Sequence, residues 1–369
     1  MIILYKRVVF GLLFVGLPFL AAAQTNTNGS NANAIPTAVP FLTITPDSRS
    51  GAMGEAGVAL SPDANANYWN PSKLAFIESG DVASISYSPW LRSLVPDISL
   101  SYLSYAHKID ERNATGVSMR YFNYGAIYQT DAQGASLGTF NPSEFSIDGS
   151  FARKFGENFS LGLTLRYIHS NLSNGSASTP SQGEANAVAT DVSMFYKNPT
   201  QEFGKDALFA FGIDISNIGS KMSYSTDEQA QFLPANLKVG IANTLNLDDV
   251  NQLTFALDLN KLLVPSSGSS DVSVPAGIFQ SFSDVSASDE FKEIYYSAGL
   301  EYSYNQLFSL RTGYYYQDPS KGGRNYLTLG VGAKYHEFGF DFSYLAGEQS
   351  SPLANTLRFT LTANFGNTK

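Results

Sequence analysis

Three glycines, Gly51, Gly54 and Gly57, fall three residues apart in DSRSGAMGEAGVALSPDANANYWNPSKLAF, the stretch from Asp47 to Phe76. Backbone N–H groups beside glycines can cradle a phosphate. The dinucleotide fingerprint, however, needs G-x-G-x-x-G between a strand and a helix, and a P-loop needs a Lys-Ser/Thr pair after its last glycine. Neither pattern is present, and nucleotide chemistry is set aside. The histidines are His107, His169 and His336. The adjacent pair His169-Ser170 offers a base and a nucleophile, the arrangement of a hydrolase. Those groups must reach each other, yet consecutive strand residues point to opposite faces. The pair fails on a strand. Cysteine is absent, which removes disulfides and thiolate chemistry. No carboxylate–histidine cluster suggests a metal. The expectation is a protein without catalytic residues, metal or cofactor.

The elements that carry these residues repeat at a period of two. Phe209, Phe211, Ile213 and Ile215 alternate with Ala210, Gly212, Asp214 and Ser216, and Leu253, Phe255, Leu257 and Leu259 alternate with Thr254, Ala256, Asp258 and Asn260. One face of each strand is apolar, and the other carries Gly, Ser, Thr and single charges. This pattern belongs to an outer-membrane strand, apolar toward lipid and polar toward a lumen. A soluble β-sandwich also alternates, but its outer face would carry more Lys and Glu.

Fourteen candidate strands follow: 82–88, 97–106, 114–123, 143–154, 159–170, 187–197, 207–216, 235–245, 252–260, 293–303, 306–316, 325–335, 337–346 and 353–365. Connections after even strands are short. Those after odd strands are mostly long, among them 124–142, 171–186, 217–234 and 261–292. Outer-membrane barrels have short periplasmic turns and long extracellular loops, which places both termini in the periplasm. The expected fold is therefore an all-β, fourteen-stranded antiparallel barrel over 82–369. Lumen-facing charges, including Arg120, Asp148, Arg166, Asp214, Asp258, Asp341 and Arg358, line a polar interior or pair with a plug.

The amino terminus reads as a secretory signal. Lys6 and Arg7 precede an apolar run from Val8 to Leu20, and Ala21-Ala22-Ala23 sets a cleavage site between Ala23 and Gln24. That run is too short to span a membrane as a helix. Losing Lys6 and Arg7 leaves 21 of the 23 basic residues against 32 acidic ones, a net charge of −11 that argues against nucleic acid as a partner. Residues 24–35 form a polar stretch expected to be disordered. The segment 36–81 precedes the first strand. Its small residues suit packing inside the barrel, with helical pieces expected at Ala52–Leu60 and Pro71–Phe76.

The same segment carries a resemblance. Gly51-Ala52-Met53-Gly54, then Asp63, then Asn70-Pro71 resembles the amino-terminal signature of the FadL family of outer-membrane proteins. The family's fourteen-stranded barrel holds an N-terminal hatch. More narrowly, Asp47-Ser48-Arg49 before the glycines, Gly57, Trp69 before Asn70-Pro71, and Lys73 are similar to the PorV branch, which serves type IX protein secretion. The resemblance implies a non-enzymatic role. Such a protein binds secreted cargo by its C-terminal signal domain at a giant translocon barrel. It delivers the cargo to a surface attachment complex containing a sortase-like protease. Outer-membrane lipids surround it, and cargo contacts fall on the extracellular loops. The alternative is a FadL-type channel for long-chain fatty acids or other hydrophobic molecules.

Overall fold

Residues rich in Tyr, Phe, Leu, Val and Thr at period two favour extended backbone, and the antiparallel partner of each strand is its sequence neighbour. The computed structural model describes residues 34–90, 97–131, 133–172, 183–224, 230–266, 271–347 and 355–367. The chain divides into two compact units, Met1–Asn31 and Ala32–Lys369, of which the second is described. The expected signal peptide, its cleavage site at Ala23 and Gln24, and most of the polar stretch 24–35 lie outside the described residues. So do parts of the connections 171–186, 217–234 and 261–292.

Sixteen strands form among the described residues. Fourteen of them close a barrel: β1 (Ser79–Pro89), β2 (Ser99–Lys108), β3 (Asn113–Asn123), β6 (Ser143–Lys154), β7 (Phe159–Asn171), β8 (Glu184–Glu202), β9 (Lys205–Gly219), β10 (Asn236–Asn246), β11 (Asn251–Leu262), β12 (Ile294–Tyr304), β13 (Phe308–Tyr316), β14 (Asn325–Tyr335), β15 (Phe338–Gly347) and β16 (Thr356–Asn367). Every pair is antiparallel, and β16 closes on β1. Closure leaves no open edge, the condition for a sheet in hydrocarbon. The other two strands, β4 (Ile127–Thr130) and β5 (Ser136–Phe140), form a hairpin in the connection after β3. Sequence alone placed only a loop there. β8 and β9 also run further than expected and turn tightly at Phe203-Gly204, whose positive φ values of 52° and 72° replace the expected loop around Asn198-Pro199.

The barrel inverts a soluble protein. On β7, Leu161, Leu163, Leu165 and Tyr167 are exposed outside, whereas Ser160, Thr164, Arg166 and Ser170 are buried inside. The outward band continues through Ile85, Leu103, Val117, Ile147, Phe255, Leu310, Leu329 and Leu361, all exposed. A chain whose exposed middle is apolar and whose buried face is polar is built for a bilayer. The protein is an outer-membrane barrel. The end of β16 lies at the short-turn end, where β1 also begins. Residues 34–44, by contrast, lie at the other end, the one that carries the long connections: Phe41 and Leu42 pack with Leu100, Phe122 and Ile168 there.

Candidate functional site

The lumen is filled by the segment between Ala38 and Ile77, which enters at the long-connection end and descends to β1. At the top, Ala38 N donates to Phe232 O at 2.9 Å, and Arg120 Nη1 donates to Leu42 O at 2.8 Å. At the bottom, Ala66, Leu74, Ala75 and Ile77 pack against Val82, Ala106, Ala114 and Ala152 of the wall. The segment carries two short helices, α1 (Ser48–Gly51) and α2 (Ala66–Trp69), and a 3-10 turn at Pro71–Phe76.

The motif residues converge. Asp47 caps α1, its Oδ2 accepting from Ser50 N at 2.9 Å, while its Oδ1 accepts from Trp69 Nε1 at 2.6 Å. One buried carboxylate thus joins the two ends of the motif. Arg49 reaches Glu301 with two nitrogens, at 3.2 and 3.1 Å, and lies 3.4 Å from Asp63. Gly51 lies against the Arg358 side chain, whose Nη2 bonds Glu55 at 2.9 Å. Met53 is fully buried. Gly54 has a φ of +67°, and a Cβ there would sit 2.5 Å from Ala298 O. Gly57 touches the Trp69 ring face, and Gly57 N and Val58 N both donate to Asp258 Oδ2, at 2.7 and 2.9 Å. Asn70 Nδ2 bonds Val58 O and Met194 O, Pro71 opens the 3-10 turn, and Lys73 Nζ donates to Gly57 O at 2.6 Å.

The helix expected over Ala52–Leu60 does not form. Gly54 and Glu55 both take positive φ, and the N–H groups of Gly54, Gly57 and Val58 bond Thr328 and Asp258 of the wall instead of the preceding turn. A helix would have closed those donors on itself. Between Ala52 and Leu60 the hatch runs as turns because the N–H groups of Gly54, Gly57 and Val58 are taken by the wall.

The wall answers with residues that the sequence reading passed over. Gly299, Gly313 and Gly330 face Met53, Gly54 and Ala52 so closely that a Cβ would collide with each. Glycines at inward strand positions were the available signal, since glycine inside a strand marks close backbone approach. The lumen charges pair: Arg166 with Asp148 and Asp191, Arg311 with Glu301 and Asp341, and Lys238 with Asp214. At the closure of β1 on β16, Thr360 Oγ1 accepts from Ser48 N at 2.9 Å and contacts Ser86 Oγ at 2.9 Å. Ser170 faces inward to Glu144 and Tyr224, while His169 faces outward to Asn186. The two do not meet, which ends the hydrolase reading of that pair.

Two lumen cavities flank the hatch. One of about 80 Å³, at the long-connection end, is lined by Glu55, Tyr68, Asn217, Lys238 and Arg324 among others. The second, of about 290 Å³, opens at the short-turn end beside Phe76, Phe195, Lys197 and Lys334. Among the described residues no cluster of three or more His, Asp or Glu side chains could hold a metal ion.

A family model described as type IX secretion system protein PorV matches residues 26–269. Among solved structures, the chain is similar to a deletion mutant of the monoaromatic hydrocarbon channel TodX, with TM-score 0.53, 13% identity, and coverage of 86% of this chain and 99% of that one. It is likewise similar to the monoaromatic hydrocarbon channel CymD, at TM-score 0.50, 15% identity, and 88% and 98% coverage. The Pseudomonas putida toluene transporter TodX matches at TM-score 0.50 and 12% identity, over 87% and 98% of the two chains. At such identities these structures share the fold. No curated protein sequence matches this chain.

Proposed function

Because the chain belongs to the family of the type IX secretion system protein PorV, we propose that it is a non-enzymatic shuttle in the outer membrane. It binds translocated cargo by the cargo's C-terminal signal domain at the giant translocon barrel and passes it to the surface attachment complex with its sortase-like protease. In this reading residues 1–23 are a cleaved signal peptide, the short turns are periplasmic, and the long connections are extracellular. The motif from Asp47 to Pro71 acts as the structural lock of the hatch, and cargo meets the loops.

The observation that carries the reading is the family match over residues 26–269, and the hatch fits it. The hatch is bonded to Thr328, Asp258, Glu301, Arg358 and Thr360 around the wall, so the lumen is occupied by the protein's own chain. A surface receptor needs no passage, and a wide rim of polar loops with interspersed aromatics adapts to many cargoes. The test is secretion of several unrelated cargo proteins in a deletion strain, paired with a pull-down from solubilised membranes. Stranded cargo and co-eluting translocon support the shuttle.

The second reading is a FadL-type channel for hydrophobic molecules, favoured by the likeness to TodX and CymD in fold. Normal secretion with lost growth on a hydrophobic nutrient would decide for it. The upper cavity, at about 80 Å³ and with Glu55, Lys238 and Arg324 in its lining, leaves little room for a long apolar ligand.

A further inference from the structure

Lys261 is an anomaly. On β11, Leu257 and Leu259 point outward, and Lys261 shares their face, so an ammonium stands on the apolar outer wall. It is nevertheless buried. After β11 come α3 (Val274–Gln280), whose Gly277 lies against Phe232, and α4 (Ala287–Lys292), which lies over the outside of the wall. Glu290 and Glu293 reach Lys261 Nζ at 2.8 and 2.6 Å, and Glu293 also holds Lys321 at 2.8 Å. This ionic clasp fixes Phe282 and Phe291 above the wall, where they are 50% and 68% exposed.

Beneath the overhang the register explains a groove. One outward row runs Ile241, Leu257, Ala298, Tyr314 across β10 to β13, and the row above runs Val239, Leu259, Tyr296, Tyr316. Ala298 is the dent between Leu257 and Tyr314. Two adjoining cavities result, of about 420 Å³ under Phe282 and Phe291 and about 330 Å³ at Ala298, sharing Val239 and Leu259.

We infer that this groove seats one acyl chain of an outer-leaflet lipid, running from the dent at Ala298 up beneath Phe282 and Phe291. The groove is continuous with the lipid-facing band, so hydrocarbon is the solvent it meets. Its width excludes larger occupants: Leu257 and Tyr314 stand two strands apart, roughly 10 Å between backbones, before their side chains are counted. A helix of about 10–12 Å diameter does not enter. Aromatic side chains with Lys292 beside them are the composition of a membrane interface. The charges above are mutually neutralised, so the selection is for the chain rather than the headgroup.

The test uses the full-length protein reconstituted in dipalmitoyl phosphatidylethanolamine vesicles, extracted in mild detergent and examined by native mass spectrometry for retained lipid. Wild type should keep one lipid. Ala298→Trp, which fills the dent, and the pair Phe282→Ser with Phe291→Ser, which removes the roof, should each lower the retained fraction about tenfold. Heat-modifiable gel migration must stay that of a folded barrel, and Leu165→Trp, on β7 three strands away from the groove, should retain lipid as wild type does. Equal retention in all variants overturns the inference, as does a co-purifying protein cross-linked at position 298 in place of lipid. The double serine variant keeps the test open should the tryptophan prevent folding.

Discussion

Along β7, two surfaces share a backbone and obey opposite rules. Leu161, Leu163 and Leu165 meet the surroundings with no partner to satisfy, and any apolar side chain of moderate size would serve. One residue away, Gly162 lies under Ser72 of the hatch, Thr164 bonds Ser150, and Arg166 is held between Asp148 and Asp191. The outer face states where the protein resides. The inner face states which segment it will accept, atom by atom. The two kinds of information are interleaved at a period of two, so they can be altered separately.

The sharpest way to break this contrast is on the inside. Arg166→Met leaves Asp148 and Asp191 buried without their cation, and the folded state should lose about 3–5 kcal/mol in urea titrations of vesicle-embedded protein. Loss below about 1 kcal/mol would mean that the lumen is solvated and the pairing idle. On the outside the same titration should show about 2–4 kcal/mol lost for Leu165→Arg and almost nothing for Leu165→Ile. A silent arginine would show that this face does not meet lipid. Gly54→Val should cost about 1–3 kcal/mol by overpacking against Ala298 and Tyr314. The matching substitution on the wall, Gly299→Val, should cost a similar amount against Met53, and that cost should vanish when residues 38–60 are deleted, because the wall then has nothing to collide with.

The smallest effect concerns the clasp. Burial pushes the Glu293 carboxyl up, but hydrogen bonds from Lys261, Lys321 and Ser266 outweigh it and hold the group below the usual glutamate range. A lowered value in the folded state stabilises above the ordinary glutamate range, and the contribution is lost as pH falls through the lowered value. Proteolysis at Lys292 should therefore accelerate in acid and stay slow at neutral pH, with the barrel intact at both. Equal rates at the two pH values would show that the clasp does not hold the overhang.

Much of this architecture was legible because alternation is a local signal. The fourteen barrel strands were found in order from residues such as Phe209 to Ser216, whose inward and outward roles need no knowledge of distant chain. What stayed hidden depends on partners far away in sequence. Gly313 is required by Gly54; a glycine inside a strand marks a close approach, but nothing near Gly313 announces which segment approaches. The hairpin of β4 and β5 was missed because four and five residues are too few for a clear period. The helices α3 and α4 sit in a stretch that reads only as loop, and Lys261 reads as the first residue of that loop rather than the anchor of an overhang. The hatch motif was visible as an oddity of composition. Its turns were not, since the Ala- and Gly-rich run from Ala52 to Leu60 suits a helix until the wall competes for its N–H groups.

The contact of Ser48 with Thr360, and of Thr360 with Ser86, bears on how the barrel could close. The hatch touches both strands of the joint between β1 and β16, and it is continuous with β1 through Glu78. A barrel that had already closed would have to pass the whole stretch from Ala38 to Ile77 through its own mouth, past Arg120, Asp258 and Glu301. A barrel still open along that joint need only fold around it. The same three hydroxyl-bearing residues would then be the last to meet, and their meeting would mark the moment at which the membrane is sealed.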